Sequence, residues 1–252
     1  MPNLLNLGCG STYHPDWTNV DLNGGEGIVQ HDLYNGIPFE DQSFDAVYTS
    51  DLIEHLHKRY VPTFLAECYR VLRPGGLIRV AAPDLEAVTR VYLNNLYEAA
   101  KGSAEAQARY EWTTIELLDQ LCRHRSGGEM ADYWKRNPMP CETFVFDRVG
   151  KEGESAVKSY RKGNHQPTAD ATAIALDTDP VAVGQFRTSG QAHLWMYDRY
   201  SLERLLEEAG FTGIRQCVAE WSRIDNFGQY RLDIAPDGNV RKPDSFYMEG
   251  EK

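Results

Sequence analysis

The stretch "LLNLGCGSTYHPDWTNVDL" (residues 4–22) contains two short strands and the turn that joins them. Residues 4–7 predict a buried strand that stops at Gly8, and residues 18–21 predict a second strand that ends in the carboxylate of Asp21. A G-x-G turn after a strand lets the backbone approach a ligand closely. Asp21 lies only 11 positions after Gly10, and Pro15 lies between them, so we expect the first helix to be truncated.

The chain continues with the same alternation of strands and helices. Apolar runs predict strands at residues 27–32, 44–50 and 77–82, and two final strands at 213–220 and 245–250. A helix between the fourth and fifth strands is predicted by one apolar stripe: Val61, Phe64, Leu65, Cys68 and Leu72. This order predicts an α/β fold with a doubly wound, mostly parallel sheet of seven strands, in a single domain that spans residues 1–252.

The middle of the chain departs from the alternation. Residues 85–122 carry two helical stripes with no strand between them. Periodicity fades over residues 138–192, where "TADATAIALDTDP" is typical of a loop or a disordered segment. We expect residues 85–192 to form a helical and loop insertion that serves as lid and acceptor-binding region. After it, Ser201 is the expected N-cap of a helix that Gly210 ends, with Tyr200 packed on Leu205.

Composition excludes several classes of protein. The chain has 26 basic and 37 acidic side chains and a net charge of -11, which disfavours nucleic acid as a partner. The five cysteines are scattered and form no C-x-x-C pair, so we expect reduced thiols in the cytoplasm and neither disulfides nor a zinc site. No secretory signal and no membrane span is expected. Oligomeric state cannot be predicted from these features.

The residues at the ends of the first three strands predict an adenosine site. A carboxylate at the position of Asp21 can accept hydrogen bonds from both hydroxyls of a ribose. Asp32 adds an acceptor for an exocyclic amine, and Leu33 adds apolar surface and a backbone donor. The third glycine of a G-x-G-x-x-G motif is replaced by Tyr13, and the helix that would bind a pyrophosphate is missing, which disfavours NAD. S-adenosylmethionine, an adenosine ligand without phosphates, fits better.

Five motifs occur in the order found in a known family: "LNLGCG", "NVDL", "HDL", "IPFEDQSFDAVYTSDLIEHL" and "LRPGGLIRVAAPD". They resemble the class I S-adenosylmethionine-dependent methyltransferases, particularly the type 11 branch, over residues 3–84. The stretches "DWTNVDL", "HLWMYDRYSLERLLEEAGF" and "PDGNVRKPDSFYMEGEK" resemble an uncharacterised group of bacterial methyltransferases often placed among polysaccharide-synthesis functions. The resemblance implies a Rossmann-like methyltransferase fold and S-adenosylmethionine as the cofactor.

The resemblance also implies roles for individual residues. The glycine turn would line the methionine part, Asp21 would hold the ribose hydroxyls, and Asp32 with Leu33 would bracket the adenine. Ser50 would offer its backbone to the methionine amino group. The complete set of expected cofactor-binding residues is Asn6, Leu7, Gly8, Cys9, Gly10, Asp21, Leu22, Asp32, Leu33, Ser50 and His55.

Methyl transfer is an in-line displacement, so the enzyme's main task is to position the acceptor. A histidine can remove the proton of a hydroxyl acceptor, because an ordinary imidazole titrates near neutral pH. The candidates are His55 and His193, with Asp84 as an acceptor contact. Each has a structural alternative: His55 at a helix start, His193 in simple packing and Asp84 as a helix cap.

The surroundings of His193 suggest the kind of acceptor. Trp195, Tyr197 and Tyr200 would form an amphipathic wall beside it, suited to a sugar or an aromatic acceptor. The aromatic and acidic side chains outside the core favour a saccharide or nucleotide-sugar hydroxyl within the wider class of small molecules. The trio Asp51, Glu54 and His55 resembles part of the metal-binding pattern of some ubiquinone-pathway O-methyltransferases. No further ligand is apparent, so we expect no metal.

Two other functions are compatible with the same turn. A non-catalytic module that binds S-adenosylmethionine would bind the cofactor without turning over any acceptor. An NAD-type oxidoreductase shares the glycine turn but requires the missing helix.

Overall fold

The computed structural model describes residues 2–162 and 179–252. The chain divides into two compact units. The first, which we call the sheet unit, comprises Met1–Asp84, Met196–Val240 and Ser245–Lys252. The second, the helical unit, comprises Leu85–Trp195 and Arg241–Asp244.

The sheet unit is built on seven strands in the order β3-β2-β1-β4-β5-β7-β6. β7 is antiparallel to both of its neighbours, and the pairs among β1 to β5 are parallel. This confirms the predicted mostly parallel sheet of seven strands. The strands are β1 (Leu4–Leu7), β2 (Thr18–Asp21), β3 (Ile28–Gln30), β4 (Phe44–Ser50), β5 (Leu72–Pro83), β6 (Thr212–Cys217) and β7 (Ser245–Glu251).

One face of the sheet is covered by two helices, α1 (Val61–Val71) and α7 (Arg199–Glu208). α1 buries its apolar stripe as predicted, but it ends at Val71 because Leu72 is already extended and pairs with Phe44. The fifth strand therefore begins before the "RPGG" stretch, earlier than the predicted residue 77. A register shift between Phe44 and Ala46 accommodates the early start.

The cap of α7 differs from the expectation. Asp198, rather than Ser201, is the N-cap, and it accepts a hydrogen bond from the Ser201 amide at 2.8 Å. The Ser201 hydroxyl in turn accepts one from the Asp198 amide at 3.0 Å, which completes a capping box. Tyr200 lies within the helix and is 66% exposed, so the predicted packing of Tyr200 as a staple on Leu205 was wrong.

The other face of the sheet carries an irregular segment, residues 218–233, instead of helices within this unit. Its short 3-10 helix, Phe227–Tyr230, packs on Trp17, whose ring lies 5.4 Å from that of Tyr230. Trp17 is 3% exposed, and residues 8–17 form turns with no helix between β1 and β2.

Arg79 attaches this segment to the sheet. Its guanidinium is fully buried and lies 2.8 Å from carboxylate oxygens of Asp233 and Glu249. It also donates to the carbonyls of Val218 and Trp221. Since every polar contact of this buried cation is made to the segment or to β7, the arginine fixes the segment on the sheet.

The helical unit contains α2 (Leu85–Ala100), α3 (Ala104–Cys122), α4 (Gly128–Trp134), α5 (Glu142–Arg161) and α6 (Pro180–Arg187). Its core is formed by Trp112, Met130, Tyr133, Met139 and Val145. The two predicted helices in 85–122 are present, but the stripe on α2 is buried only in part, since Leu96 is 39% exposed. No helix among the described residues is both long and apolar enough to cross a membrane.

The fading periodicity from residue 138 did not reveal α5. Gly150 interrupts this helix at φ 63° and ψ -161°, and the break shifts the helical periodicity halfway along the segment. A Cβ at Gly150 would lie 2.6 Å from the carbonyl oxygen of Arg241. Most of the "TADATAIALDTDP" stretch lies outside the described residues.

Candidate functional site

The carboxyl ends of β1, β2 and β3 meet at one edge of the sheet. β1 and β2 pair in parallel with Leu7 opposite Val20, and β2 and β3 pair in parallel with Asp21 opposite Gln30. Adjacent strands lie about 4.8 Å apart. The glycine turn at residues 8–10, Asp21 and the residues after β3 are therefore neighbours, as the sequence predicted.

The glycine turn leaves the strand in a conformation that favours glycine. Gly8 has φ +67° and Gly10 has φ +51°. A Cβ at Gly8 would lie 2.8 Å from the Leu52 side chain, whereas a Cβ at Gly10 would meet nothing within 4 Å. The amides of Gly8 and Cys9 both donate to the carbonyl of Val20, at 2.9 and 3.1 Å. Gly8 is thus packed against protein, while Gly10 faces open space.

Asp21 anchors the turn. One carboxylate oxygen accepts a hydrogen bond from the Gly10 amide at 2.9 Å, and the other accepts one from the Asn23 amide at 2.9 Å. The residue is half-buried. A carboxylate has about four acceptor sites, so each oxygen retains capacity for a hydroxyl donor.

The residues after β3 form a short 3-10 helix, Leu33–Asn35, that Asp32 caps. Asp32 accepts from the Tyr34 amide at 2.9 Å, and Tyr60 donates its hydroxyl to the Leu33 carbonyl at 2.6 Å. Leu33 is 7% exposed and belongs to the core under the sheet. Exposed apolar surface at this edge comes instead from Leu22, which is 52% exposed, and Tyr34, which is 45% exposed. Sequence reasoning missed Tyr34, although an aromatic residue directly after the Asp-Leu pair was a usable signal.

Three expected cofactor-binding residues have almost no exposed side chain. Leu7 is in the core at 0% exposure, and Asn6 at 1% donates to the Thr12 carbonyl at 3.3 Å. Burial, followed by the negative charge of Asp21, raises the pKa of the Cys9 thiol to about 11. Cys9 is therefore a neutral thiol at neutral pH, and any contact of Leu7 with a ligand would be through its backbone.

The end of β4 lies on the other side of β1. Thr49 pairs with Leu7, which places the half-buried Ser50 next to the start of the glycine turn. His55 is half-buried in a turn, with its amide donating to the Leu52 carbonyl at 2.9 Å. Since α1 begins only at Val61, the interpretation of His55 as a helix-start residue was wrong. Glu54 beside it is fully buried.

The remaining candidates differ in exposure. His193, in the helical unit, is 4% exposed, and its amide donates to the Gln120 carbonyl at 2.9 Å. Tyr197 is 2% exposed in the core of the sheet unit, where burial and then the charge of Glu54 raise the pKa of its hydroxyl. Trp195 is 42% exposed and Tyr200 is 66% exposed. Asp84, just before α2, forms a backbone bridge with Tyr197.

Comparison with known proteins finds a matching family model. Residues 12–80 match the model described as "Methyltransferase domain". A probable S-adenosylmethionine-dependent methyltransferase of Mycolicibacterium smegmatis is 33% identical over 139 residues, which cover 47% of this chain and 53% of that protein. A probable phthiotriol/phenolphthiotriol dimycocerosates methyltransferase of Mycobacterium ulcerans is 40% identical over 83 residues, which cover 33% of this chain and 29% of that protein.

A comparison with solved structures gives matches of low similarity. The crystal structure of an S-adenosylmethionine-dependent methyltransferase from Archaeoglobus fulgidus aligns with 100% of this chain and 86% of its own, with a TM-score of 0.42 and 14% identity. The chain spans about half, or less, of the length of the two curated relatives that it matches.

Proposed function

We propose that this chain, which carries a class I S-adenosylmethionine-dependent methyltransferase domain, transfers the methyl group of that cofactor to a small-molecule acceptor. The observation that supports this most directly is the meeting of the glycine turn and Asp21 at one edge of the sheet. The sequence match at residues 12–80 begins directly after that turn.

The residues at this edge fit an adenosine ligand. Asp21 retains acceptor sites for the two ribose hydroxyls, and the open space at Gly10 leaves room for the methionine part against the backbone. Leu22 and Tyr34 offer apolar surface for a planar base, and Asp32 an acceptor for its amine. S-adenosylmethionine supplies an already activated methyl group, so these residues need only bind and orient it.

The same edge argues against a dinucleotide. A pyrophosphate is normally bound by the N-terminus of the helix that follows the first strand. Residues 8–17 contain turns and no helix, so that source of aligned amides is missing here.

For the acceptor we propose a saccharide or nucleotide-sugar hydroxyl, and we propose His55, His193 and Asp84 as the residues that contact it or remove its proton. Exclusion of nucleic acid rests on the net charge of -11. We also propose that the helical and loop segment 85–192 serves as lid and acceptor-binding region, as the sequence predicts.

Turnover with an acceptor panel tests the enzymatic part. Formation of S-adenosylhomocysteine is measured by mass spectrometry with free hexoses, nucleotide sugars and non-sugar alcohols as acceptors. We expect product with at least one sugar, and we expect His193→Ala to reduce turnover while cofactor affinity is retained. Cofactor binding without product across the panel would favour the non-catalytic module.

A further inference from the structure

Two buried asparagines lie beneath the loop that replaces the first helix. Asn6 on β1 and Asn19 on β2 are 1% and 2% exposed and face each other in the parallel register. They lie on the sheet face that carries the segment 218–233, because Leu5, Leu7 and Val20 at alternate positions point into the opposite core. A polar pair at this depth requires hydrogen-bond partners.

The partners are carbonyls of the loop at residues 8–17. The Asn19 side-chain amide donates to the carbonyls of His14 and Trp17, at 3.0 and 2.9 Å. The Asn6 side-chain amide donates to the Thr12 carbonyl at 3.3 Å and to the Asn19 side-chain oxygen at 3.1 Å. Both N–H groups of each side-chain amide therefore donate a hydrogen bond. Three loop carbonyls, which a helix would satisfy with its own amides, accept from these buried side chains instead.

The far end of the loop is also held by the side chains of His14 and Trp17, whose own carbonyls accept the bonds from Asn19. Trp17 is buried against Phe227 and Tyr230, and the His14 ring lies 5.1 Å from the Tyr230 ring. At the near end, the Gly10 amide is bonded to Asp21. The bonds from the asparagines therefore hold residues 12–17, the part of the loop that follows the anchor at Gly10.

We propose that Asn19, together with Asn6, is a positioning residue that holds the glycine turn in its ligand-binding conformation. This role rests on the proposed function, because it assumes that S-adenosylmethionine binds at the turn. If the loop loses these bonds, only a fraction of molecules has the binding conformation at any time, and the apparent Kd rises in inverse proportion to that fraction.

The chemistry explains why asparagine occupies position 19. The residue must donate twice to carbonyl oxygens and accept once from Asn6. An aspartate would present only acceptors to the two carbonyls, and an aliphatic residue would remove the hydrogen bonds to all three groups.

The test compares Asn19→Ala with Asn95→Ala, which removes an equally buried amide from α2 in the helical unit. The affinity for S-adenosylhomocysteine is measured by calorimetry well below the Tm of each variant. Amide hydrogen exchange of residues 8–17 is measured with and without the ligand. For Asn19→Ala we expect about tenfold weaker binding, because the two hydrogen bonds to loop carbonyls and the bridge to Asn6 are lost. Exchange of residues 8–17 should be faster in the free protein and slow again at saturating ligand.

Asn95→Ala should leave both the affinity and the exchange of residues 8–17 unchanged. If Asn19→Ala does not fold, Asn6→Ala, which removes only the bond to Thr12 and the bridge to Asn19, takes its place. If the wild type binds S-adenosylhomocysteine and Asn19→Ala binds it with the same affinity, the positioning role is overturned and the proposed function is not. A wild-type chain that does not bind S-adenosylhomocysteine would overturn the proposed function and the positioning role together.

Discussion

Cys9 lies within the glycine turn, yet it is not a nucleophile at neutral pH. Burial is the larger reason and the charge of Asp21 the smaller, and together they raise its thiol pKa to about 11. The thiolate is the reactive form of cysteine. The side chain therefore serves the turn by packing, and its sulfur lies 3.7 Å from the Gly10 carbonyl oxygen.

We predict that Cys9 resists alkylation. At neutral pH it should carry on the order of 100-fold less thiolate than an ordinary cysteine. Iodoacetamide labelling followed by peptide mass spectrometry should modify Cys122, which is exposed, well before Cys9. Equal labelling rates for the two cysteines would show that the turn opens readily or that the Cys9 thiol is not perturbed.

The sequence predicted the position of Asp21 at the end of β2 but not the burial of the Asn6 side chain, and the ligand-binding roles of both residues stay predictions. Asp21 is the last residue of β2, and the carboxyl ends of neighbouring parallel strands meet at the same edge of the sheet. Asn6 was expected to bind the ligand because its neighbours in the motif do. A strand buried on both faces gives no indication of which side a polar residue occupies, and the structure buries this one beneath the loop.

At the scale of elements, the segment 218–233 takes the place of a helix on one face of the sheet. The polar residues Asn6, Asn19, Tyr48 and Arg79 recur on that face, one on each of four strands, and Tyr48 donates its hydroxyl to Asp233 at 2.6 Å. This recurrence was a signal in the sequence that the face is not covered by an ordinary apolar helix. It could be interpreted only once the strand register was known.

We predict that Arg79→Leu lowers the free energy of unfolding by about 3–5 kcal/mol, because Asp233 and Glu249 would lose their main buried cation. Urea unfolding followed by circular dichroism measures the change. Arg90→Leu is the control, since Arg90 is 75% exposed and its ion pair with Glu86 should contribute about 0–1 kcal/mol. Similar effects of the two substitutions would contradict the anchoring role of Arg79.

The helical elements show the limits of periodicity. α1 was predicted almost to the residue because its apolar stripe is continuous and Pro62 marks its start. α5 was missed because Gly150 breaks its stripe in two, and the glycine is required there by contacts with residues 241–243 that are distant in sequence. A local pattern does not contain that information.

At the scale of the whole molecule, the buried carboxylate of Glu249 makes stability depend on pH. Burial alone raises the pKa of Glu249. Hydrogen bonds from Ser222, the Arg223 amide and Arg79 lower it by more than burial raises it, so the folded-state pKa lies below the ordinary value. A lowered folded-state pKa means that the unfolded chain binds the proton first as the pH falls. This stabilisation is therefore complete above the unfolded pKa, near 4.3, and is lost as the pH falls through the folded value.

We predict that Glu249→Gln is less stable than the wild type at pH 7 and has a shallower dependence of unfolding free energy on pH below about 5. Urea unfolding at a series of pH values gives the slope. Glu98→Gln, at an exposed helical position, should leave that slope unchanged. An unaltered slope in the Glu249 variant would exclude this carboxylate as a source of acid sensitivity.

The central claim is that an adenosine ligand without phosphates binds across the ends of β1, β2 and β3, with Asp21 on its ribose. Calorimetry with S-adenosylhomocysteine and NAD, on the wild type, Asp21→Ala and the exposed loop control Asp16→Ala, tests it most directly. We predict that the wild type and the Asp16 variant bind S-adenosylhomocysteine but not NAD. Asp21→Ala removes a charged acceptor and should therefore weaken the binding of S-adenosylhomocysteine roughly 10- to 100-fold. Binding of NAD in preference, or full affinity without the Asp21 carboxylate, would contradict the account.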